Sequence, residues 1–600
     1  MGKFVSERNL KFLLYEVLDA ESLTQHEYFQ EHNRETFDMV LETALKMGRD
    51  LLLPHLREMD QIPPALVNGE IKVHPIVKTY MTECGDGGWI SANAPFDMGG
   101  QQLPTIITNS CLFLFAAANY SASVYPMLTT GAAHLIEAFG APELIETFVP
   151  KMFTGRWQGT MALTEPQAGS SLADVTTQAE PTDKGFYKIR GQKIFISASD
   201  HDGVENIVHL MLARIKGAPP GVKGISLFVV PKLRLTAEGA LVPNDVNVAG
   251  LYHKLGYRGA PITQLSIGEN DDCRGFLVGE PNRGLTYMFQ MMNEARIGVG
   301  IGAAAIASAA YHTALQYAKE RPQGRRISDK GANSPPVLII KHPDVKRMLL
   351  FQRAVVEGSL SLLLQCSMYA DRIKATTGEE RERYSLLLDI LTPVAKTYPS
   401  EMGVLAVSQA LQCLGGYGYC DEFPVEQFYR DARIHPIHEG TTGIQGLDLL
   451  SRKLSMKNGA GFHFFVEELE KSIEQARVWE DLGPYARRLR EALAILQQVS
   501  THLSNLSAKG DQEIFLADAT LYLELFCTIA VAWQWLLQGL AAEEKLSESL
   551  PEQEMAFYQG KIHTMKYFFH YELPKIGGLR ERLMESDGLT LEMTERLFYD

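Results

Sequence analysis

The sequence predicts an α+β protein in which a helical N-terminal domain, a central antiparallel β domain, a C-terminal four-helix bundle and a helical C-terminal extension follow one another. Three observations predict it. Apolar residues recur at helical spacing from Arg34 to about Phe153, the texture changes at Gln158 to short β-branched and aromatic runs, and helical periodicity returns at Gly284. The boundaries read from these changes are 1–35, 36–157, 158–282, 283–455 and 456–600. A chain of 600 residues, 46% of them hydrophobic, is long enough to bury a large multi-layered core.

Each element follows from its local pattern. Phe37, Leu41, Ala44, Leu45, Leu51 and Leu52 trace one apolar helical face up to Pro54, and further helices are expected over about 75–83, 107–118, 130–139 and 142–153. The segment 85–104, GDGGWISANAPFDMGGQQLP, is dense in glycine and proline and reads as an ordered loop. Strands are expected in GTMALTE, YKIRGQKIFIS, IVHLMLARI, ISLFVVPK and ITQLSIG. No helical stretch of 10–15 residues lies between them, so antiparallel pairing into a barrel or sandwich is favoured over a βαβ sheet. A long Ala/Gly helix near 297–319 has side chains small enough for close helix packing. It contains GIGAAA at 300–305, which matches a dinucleotide fingerprint, but that fingerprint must follow a strand and this one follows NEARIGV inside a helical pattern. In the extension, Leu489, Leu493, Leu496, Val499, Leu503 and Leu506 mark one amphipathic helix, with others over about 513–541 and 554–573.

Composition excludes several function classes. A formal net charge of −15 disfavours nonspecific binding to nucleic acid or to an anionic membrane, both of which need a basic face. Seven cysteines without a CxxC pair fit neither a disulfide framework nor a zinc site, so no metal is expected and a reducing, cytoplasmic compartment is the simplest expectation. The N-terminal segment lacks a signal-peptide pattern, and Met1 to Ser6 matches the short myristoylation pattern without a second anchor. The longest uncharged runs, 297–318 and 525–542, read as buried bundle helices with no transmembrane segment.

The chemistry is expected in YRDARIHPIHEGTTGIQGLDLLSRK, residues 429–453. Glu439 is a lone carboxylate there; Gly440 permits a tight turn, Thr441 or Thr442 can cap the next helix, and Ile444, Leu447 and Leu450 repeat as its buried stripe. Taken alone, Glu439 also reads as a solvated loop acid. Arg430, Asp431 and Arg433 read as a structural ion-pair network, and Trp157 as core.

Together with LTEPQAGSS at 163–171 and LGGYGYCDEFPVEQFYRDARI at 414–434, this stretch gives the chain, from about residue 36 to 455, a close resemblance to the acyl-CoA dehydrogenase family. GWISANAPFDMGG, GAAHLIEAFG and KIRGQKIFIS add to it, and the length and extension look most like the long bacterial branch that includes 3-methylmercaptopropionyl-CoA dehydrogenases. The resemblance implies an enzyme that holds FAD between its β domain and C-terminal helices, with a second subunit completing the site. It implies α,β-dehydrogenation of an acyl-CoA thioester to the trans-2-enoyl-CoA. Glu439 would remove the α-proton while the β-hydride goes to flavin N5, the thioester carbonyl being polarised by the glutamate's own N–H and a ribityl hydroxyl.

Position by position, the resemblance assigns Met161, Leu163 and Thr164 to the flavin edge, Ser170 to the pyrophosphate, Phe195 to the ring and Ser197 to a hydrogen bond with N5. Arg321, Gln412 and Gly416 of a neighbouring subunit match pyrophosphate and adenosine contacts, and Thr441 follows the base. Arg296 would brace the base loop or form an ordinary interhelical ion pair, and Ser170, Asn293, Arg296 and Gly440 are assigned to the acyl-CoA. Ser171, His438 and Gly443 depart from the family pattern; His438 would either tune the base or serve packing. The implied partners are an acyl-CoA, an electron-transferring flavoprotein as acceptor and a second copy in a homodimer. An acyl-CoA oxidase, told apart by peroxide release in air, and a flavin-bearing scaffold protein are the alternatives.

Overall fold

The computed structural model describes residues 3–328, 331 and 334–599, with the backbone alone at Gln290 and Met291. Of the myristoylation pattern, Met1 and Gly2 lie outside the described residues, and Ser6 caps a short helix by accepting the N–H of Asn9. The chain divides into two compact units, one of residues 35–295 and one that joins the N-terminal residues up to Arg34 to everything from Arg296 onward.

In the first unit, the helices Arg34–Met47, Ile76–Asp86 and Pro142–Phe153 form where the apolar spacing predicts them. The helices expected at 107–118 and 130–139 are instead one element, α1 (Thr105–Phe139), broken only at Asn119, whose φ of −163° and ψ of 96° leave the helical region. The buried Asn119 side chain repairs that break: its carbonyl accepts the Ala122 N–H (3.2 Å) and its amide reaches the carbonyl of Leu52 (3.3 Å). The loop 85–104 is ordered by backbone bonds from Gln102 and Leu103 to Ala94 and Ala92.

The β domain is an eight-stranded sheet. Its strands are β1 (Trp157–Ala162), β2 (Gln178–Pro181), β3 (Tyr187–Ser197), β4 (Asn206–Ile215), β5 (Ile225–Pro231), β6 (Val246–Leu251), β7 (Ile262–Ile267) and β8 (Arg274–Val278). The order along the sheet is β6-β7-β3-β8-β5-β4-β1, with β2 pairing β3 and β4. The antiparallel expectation needs correction at one end, because β1 runs parallel to β4 from Trp157↔Asn206 to Ala162↔Met211, and β2 also pairs β4 in parallel. Parallel neighbours need a long crossover, and residues 163–205, which contain β2 and β3, supply it without an α-helix. β4 and β5 are buried almost throughout, whereas β3 alternates only over Ile189–Lys193 and loses its period of two beyond Lys193, where its pairing with β7 shifts register. Phe228, Met211, Ile189, Leu265 and Ile267 form the core of the domain.

The second unit is built on α2, comprising the part of the Gly284–Glu320 helix from Arg296 onward, with α3 (Pro343–Ala375) and α4 (Gly378–Leu414). The small residues of α2 bring backbones together: a Cβ at Gly300 would lie 2.2 Å from the carbonyl oxygen of Ala395 and 2.8 Å from Leu363. The GIGAAA stretch is therefore a helix-packing surface. α5 (Val425–Ala432) and α6 (Thr442–Leu447) follow, and α6 widens into a π-helical turn over Asp448–Lys453. Leu449 and Leu450 of that turn are buried, whereas Leu447, the last residue of α6 and expected in the buried stripe, is 37% exposed.

The extension is helical, as expected, with α7 (Gly483–Lys509) burying Leu489, Leu493, Leu496, Val499 and Leu503. The helix expected over 513–541 is split at Asp518 into a short turn and α8 (Ala519–Leu546), and α9 (Glu552–Tyr567) follows. α8 packs into the unit: Trp535 donates its indole N–H to the Ala354 carbonyl (3.1 Å) and Ser361 bonds Gln534 (2.7 Å). The N-terminal segment packs on the same extension through Arg8 to Glu554 (2.8 Å). Helices α1, Gly284–Glu320 and α8 are long and apolar enough to cross a membrane, but 83%, 94% and 83% of their apolar windows are buried inside the protein. All seven cysteines are free.

Candidate active site

Glu439 sits where the sequence places a base, on the turn between α5 and α6. Its φ is +53° and that of Gly440 is +86°, two consecutive left-handed residues. Glycine adopts that conformation freely; a glutamate does so at a cost and only where its surroundings hold it. Here they do. The Thr442 N–H bonds the Pro436 carbonyl (3.1 Å), the Gln445 amide reaches the carbonyls of Glu439 (3.1 Å) and Gly440 (3.4 Å), and the Thr442 hydroxyl bonds the Glu401 carboxylate on α4. Thr441 is the cap of α6, accepting the Ile444 N–H (3.4 Å). Among the described residues the N–H of Glu439 itself has no acceptor.

Burial raises the pKa of the half-buried Glu439 carboxyl, and the positive charges of Arg296 and Lys396 oppose it. A base of this kind is less acidic than a solvated glutamate yet still able to ionise. Arg296 is 2% exposed and pairs with Asp448 (3.0 Å), just beyond α6. It thereby ties α2 to the helix that follows the base, as an interhelical ion pair would, while its Nε has no hydrogen-bond partner among the described residues. His438 is held neutral by burial, and its ring lies edge-on to that of His435 with centroids 5.4 Å apart, so it packs beside the base without adding charge. Arg430 pairs with Glu426 one turn before it (2.8 Å), the structural role expected.

In the β domain, the carbonyl of Thr164 accepts the N–H of Ile194 (2.9 Å), which fastens the LTEPQAGSS segment to β3. This brings Leu163 and Thr164 beside Phe195 and Ser197. Phe195 has a φ of +58° and is 58% exposed, with its ring 4.8 Å from that of Tyr252. The hydroxyls of Thr164 and Ser197 have no partner among the described residues. An exposed aromatic face beside two uncommitted hydroxyls fits a planar heteroaromatic ring such as flavin. Met161 is half-buried on β1, Ser170 is exposed on the loop, and Asn293 is half-buried on the Gly284–Glu320 helix.

Underneath this segment lies a network that sequence reasoning missed. Lys193 of β3 donates to the Leu163 carbonyl (3.0 Å) and to Glu165 (2.8 Å), and Glu165 also accepts from the hydroxyls and N–H groups of Thr176 and Thr177. Burial alone would raise the Glu165 pKa, but Lys193 and the threonine bonds outweigh it and bring it down to about 2. Burial pushes Lys193 the other way, to about 8. The acid in LTEPQAGSS was the available signal.

Arg321, Gln412 and Gly416 are exposed, and the Arg321 guanidinium lies 6.0 Å from the Tyr417 ring, in a GGYGY turn whose Tyr419 is 95% exposed. Together they offer a cation, bare glycine backbone and aromatic faces, a donor set suited to an adenosine diphosphate moiety. His55, Glu58 and His74 form a trio with metal-ligand atom types, but Nδ1 of His74 accepts the Ile76 N–H (3.2 Å), which leaves its proton on Nε2 toward Glu58 (3.3 Å) and makes the group a hydrogen-bonded cluster. A groove of about 580 Å³ lined by Trp157, Phe186, Tyr187, Arg234 and Arg274 contains none of the expected site residues.

Comparison with known proteins decides the family. Residues 34–156, 160–269 and 282–454 match the profiles of the acyl-CoA dehydrogenase N-terminal, middle and C-terminal domains, and residues 465–594 match an acetyl-CoA dehydrogenase C-terminal-like profile. The chain belongs to the acyl-CoA dehydrogenase family. It is 38% identical to the 3-methylmercaptopropionyl-CoA dehydrogenase of Ruegeria pomeroyi over 87% of each chain. It is 33% identical to a butyryl-CoA dehydrogenase of Syntrophomonas wolfei over 98% of each. Among solved structures, an acyl-CoA dehydrogenase from Bacillus anthracis complexed with FAD superposes with a TM-score of 0.73 at 20% identity, covering 98% of this chain and 93% of that one. The family consists of FAD-dependent oxidoreductases, and this member is an enzyme of that class with FAD as its cofactor.

Proposed function

We propose that this acyl-CoA dehydrogenase removes the α-proton of an acyl-CoA thioester with Glu439 and yields the trans-2-enoyl-CoA. The observation that carries the reading is the left-handed Glu439, pinned by Gln445, Thr441 and Thr442, with its carboxyl pKa raised by burial. A thioester α-carbon is a weak acid, so a base less acidic than a solvated carboxylate is better matched to it. The uncommitted N–H of Glu439 is a hydrogen-bond donor for the thioester carbonyl, where it would stabilise the negative charge that develops as the proton leaves. FAD, when bound, supplies the acceptor for the β-hydride. Met161, Leu163, Thr164, Phe195 and Ser197 would meet the ring, Ser170 the pyrophosphate, and Arg321, Gln412, Gly416 and Thr441 the remainder of the cofactor, those of Arg321, Gln412 and Gly416 from the second copy of a homodimer.

The similarity to the Ruegeria and Syntrophomonas enzymes makes 3-methylmercaptopropionyl-CoA and short straight-chain acyl-CoAs the first substrates to try. An electron-transferring flavoprotein is the proposed acceptor of the electrons. The test is anaerobic mixing of the purified flavoprotein with butyryl-, octanoyl-, palmitoyl- and 3-methylmercaptopropionyl-CoA while flavin bleaching is followed. Bleaching confined to one length class assigns the substrate; bleaching by none of them contradicts the proposal. Stoichiometric peroxide on readmission of air, with no transfer to an electron-transferring flavoprotein, would instead identify an oxidase.

A further inference from the structure

We propose that Lys396 of α4 is the positioning residue that keeps the Glu439 carboxylate ionised and ready to accept a proton. The inference rests on the reading of Glu439 as the base. Lys396 is 0% exposed, and its Nζ has no hydrogen-bond partner among the described residues. A buried ammonium with nothing to bond is among the costliest groups a protein can hold, so it persists only where a nearby negative charge compensates it or a function requires it.

The packing of α2 on α4 explains why it lies there. The two helices are in close contact where Gly300 faces the carbonyl of Ala395, the residue before Lys396. Arg296 precedes Gly300 by four residues, one helical turn, so the same close contact delivers two cations to the region of the base. They are not equivalent. Both act on Glu439, Arg296 the more strongly, but Arg296 is also paired with Asp448, whereas Nζ of Lys396 has no hydrogen-bond partner among the described residues. Two carboxylates lie near enough to act on Lys396, Glu439 first and Glu401 second, and Glu401, on Lys396's own helix, is already bonded to the Thr442 hydroxyl. His435 and His438 also face the amine, and burial holds both neutral, so neither supplies charge. Both carboxylates face the amine, Glu439 the more strongly, and the bond from Thr442 to Glu401 holds α4 against the base loop.

Burial lowers the Lys396 pKa to about 8, so the group is a cation at neutral pH and below, where the base has to be ionised. Without that cation the carboxylate is less stable and the pKa of Glu439 rises. The sequence carried a signal: Lys396 is the single charge in ILTPVAKTYPS, residues 390–400, set between Pro393 and Pro399.

The test is the pH profile of kcat/KM for anaerobic flavin reduction in the wild type, Lys396→Met, Lys396→Arg and Glu439→Gln, with melting temperature recorded across the same range. Lys396→Met is expected to move the acid limb upward by about one pH unit, a loss of roughly tenfold on that limb that recovers at higher pH, with the melting temperature unchanged or raised. Lys396→Arg is expected to keep the limb near its wild-type position. If Lys396→Met does not fold, Lys396→Gln, polar and of similar length, carries the same comparison. A folded neutral variant whose acid limb stays in place, or whose rate falls equally at all pH values, overturns the role of Lys396. Retention of wild-type activity in Glu439→Gln overturns the reading of the base and, with it, the role of Lys396; an inactive Glu439→Gln beside an unmoved limb overturns the lysine alone.

Discussion

At the scale of single residues, the buried pair of Glu165 and Lys193 is the clearest energetic commitment in the β domain. It fastens the Leu163 carbonyl and so sets the segment that carries Thr164. Removing one member of such a pair strands the other charge, so Lys193→Met is expected to cost about 3–5 kcal/mol in a denaturant melt, whereas breaking the exposed Lys216–Glu180 pair should be nearly neutral. The folded pKa of Glu165, about 2, lies below the unfolded carboxylate value, so its contribution is fully present above about pH 4.5 and is lost as pH falls toward 2. A stability profile in that window should lose this dependence in Glu165→Gln. Glu439 was singled out by the family resemblance, since its local pattern, a charged residue between His438 and a glycine next to a threonine cap, also fits a solvated loop acid. Lys193 was not legible, because what distinguishes it is the identity of neighbours that fold onto it from other elements, and the lone charge of Lys396 in an apolar stretch does not by itself name the carboxylates it faces.

At the scale of elements, helix existence was legible wherever one face is apolar, and the misses have physical causes. Asn119 kinks α1 directly after the first of the two expected helices, and its side chain bonds across the kink, so the second helix begins well before the expected residue 130. The parallel pairing of β1 with β4 is a long-range choice that no local period encodes. The π-helical turn after α6 brings Leu449 as well as Leu450 into the core, while Leu447, the last residue of α6 before it, stays exposed. The contact of α2 with α4 is the element-level feature on which the site depends. Gly300→Val is expected to destabilise the protein by at least 1–3 kcal/mol, since its Cβ would press on backbone that cannot step aside, and to weaken activity beyond the stability loss by spreading Arg296 and Lys396. Gly403→Ala is the control, because there the nearest atom, the Ala303 carbonyl oxygen, is 3.4 Å away and the strain should be small. Thermal melts of the two variants, read beside their activities, check both statements.

At the scale of the whole molecule, the order of helical and β segments was readable because the apolar periodicity changes abruptly at residues 158 and 284, whereas the contacts that join the two ends of the chain are long-range and leave no local period. The N-terminal residues, expected as a separate extension, belong with the C-terminal half through Arg8, Asn9 and Phe4. The C-terminal extension is likewise part of the helical unit rather than an appendage: Trp535 is fully buried against α3, and a Cβ at Gly358 would lie 2.7 Å from its indole nitrogen. Trp535→Ala should therefore cost about 3–5 kcal/mol, and a chain ending at residue 455 should be insoluble or molten, with an unprotected α3 in hydrogen exchange. A truncated chain that melts cooperatively at the full-length temperature would separate the extension from the fold. The account as a whole stands on Glu439, and its most direct test is a single-turnover anaerobic reaction of wild type and Glu439→Gln, both loaded with FAD, with the acyl-CoA that bleaches the wild type. The account predicts prompt bleaching in the wild type, slowed when the α-carbon is deuterated, and a rate lower by roughly 10²–10⁴-fold or more in Glu439→Gln with the cofactor still bound. A Glu439→Gln enzyme that bleaches at the wild-type rate would contradict it.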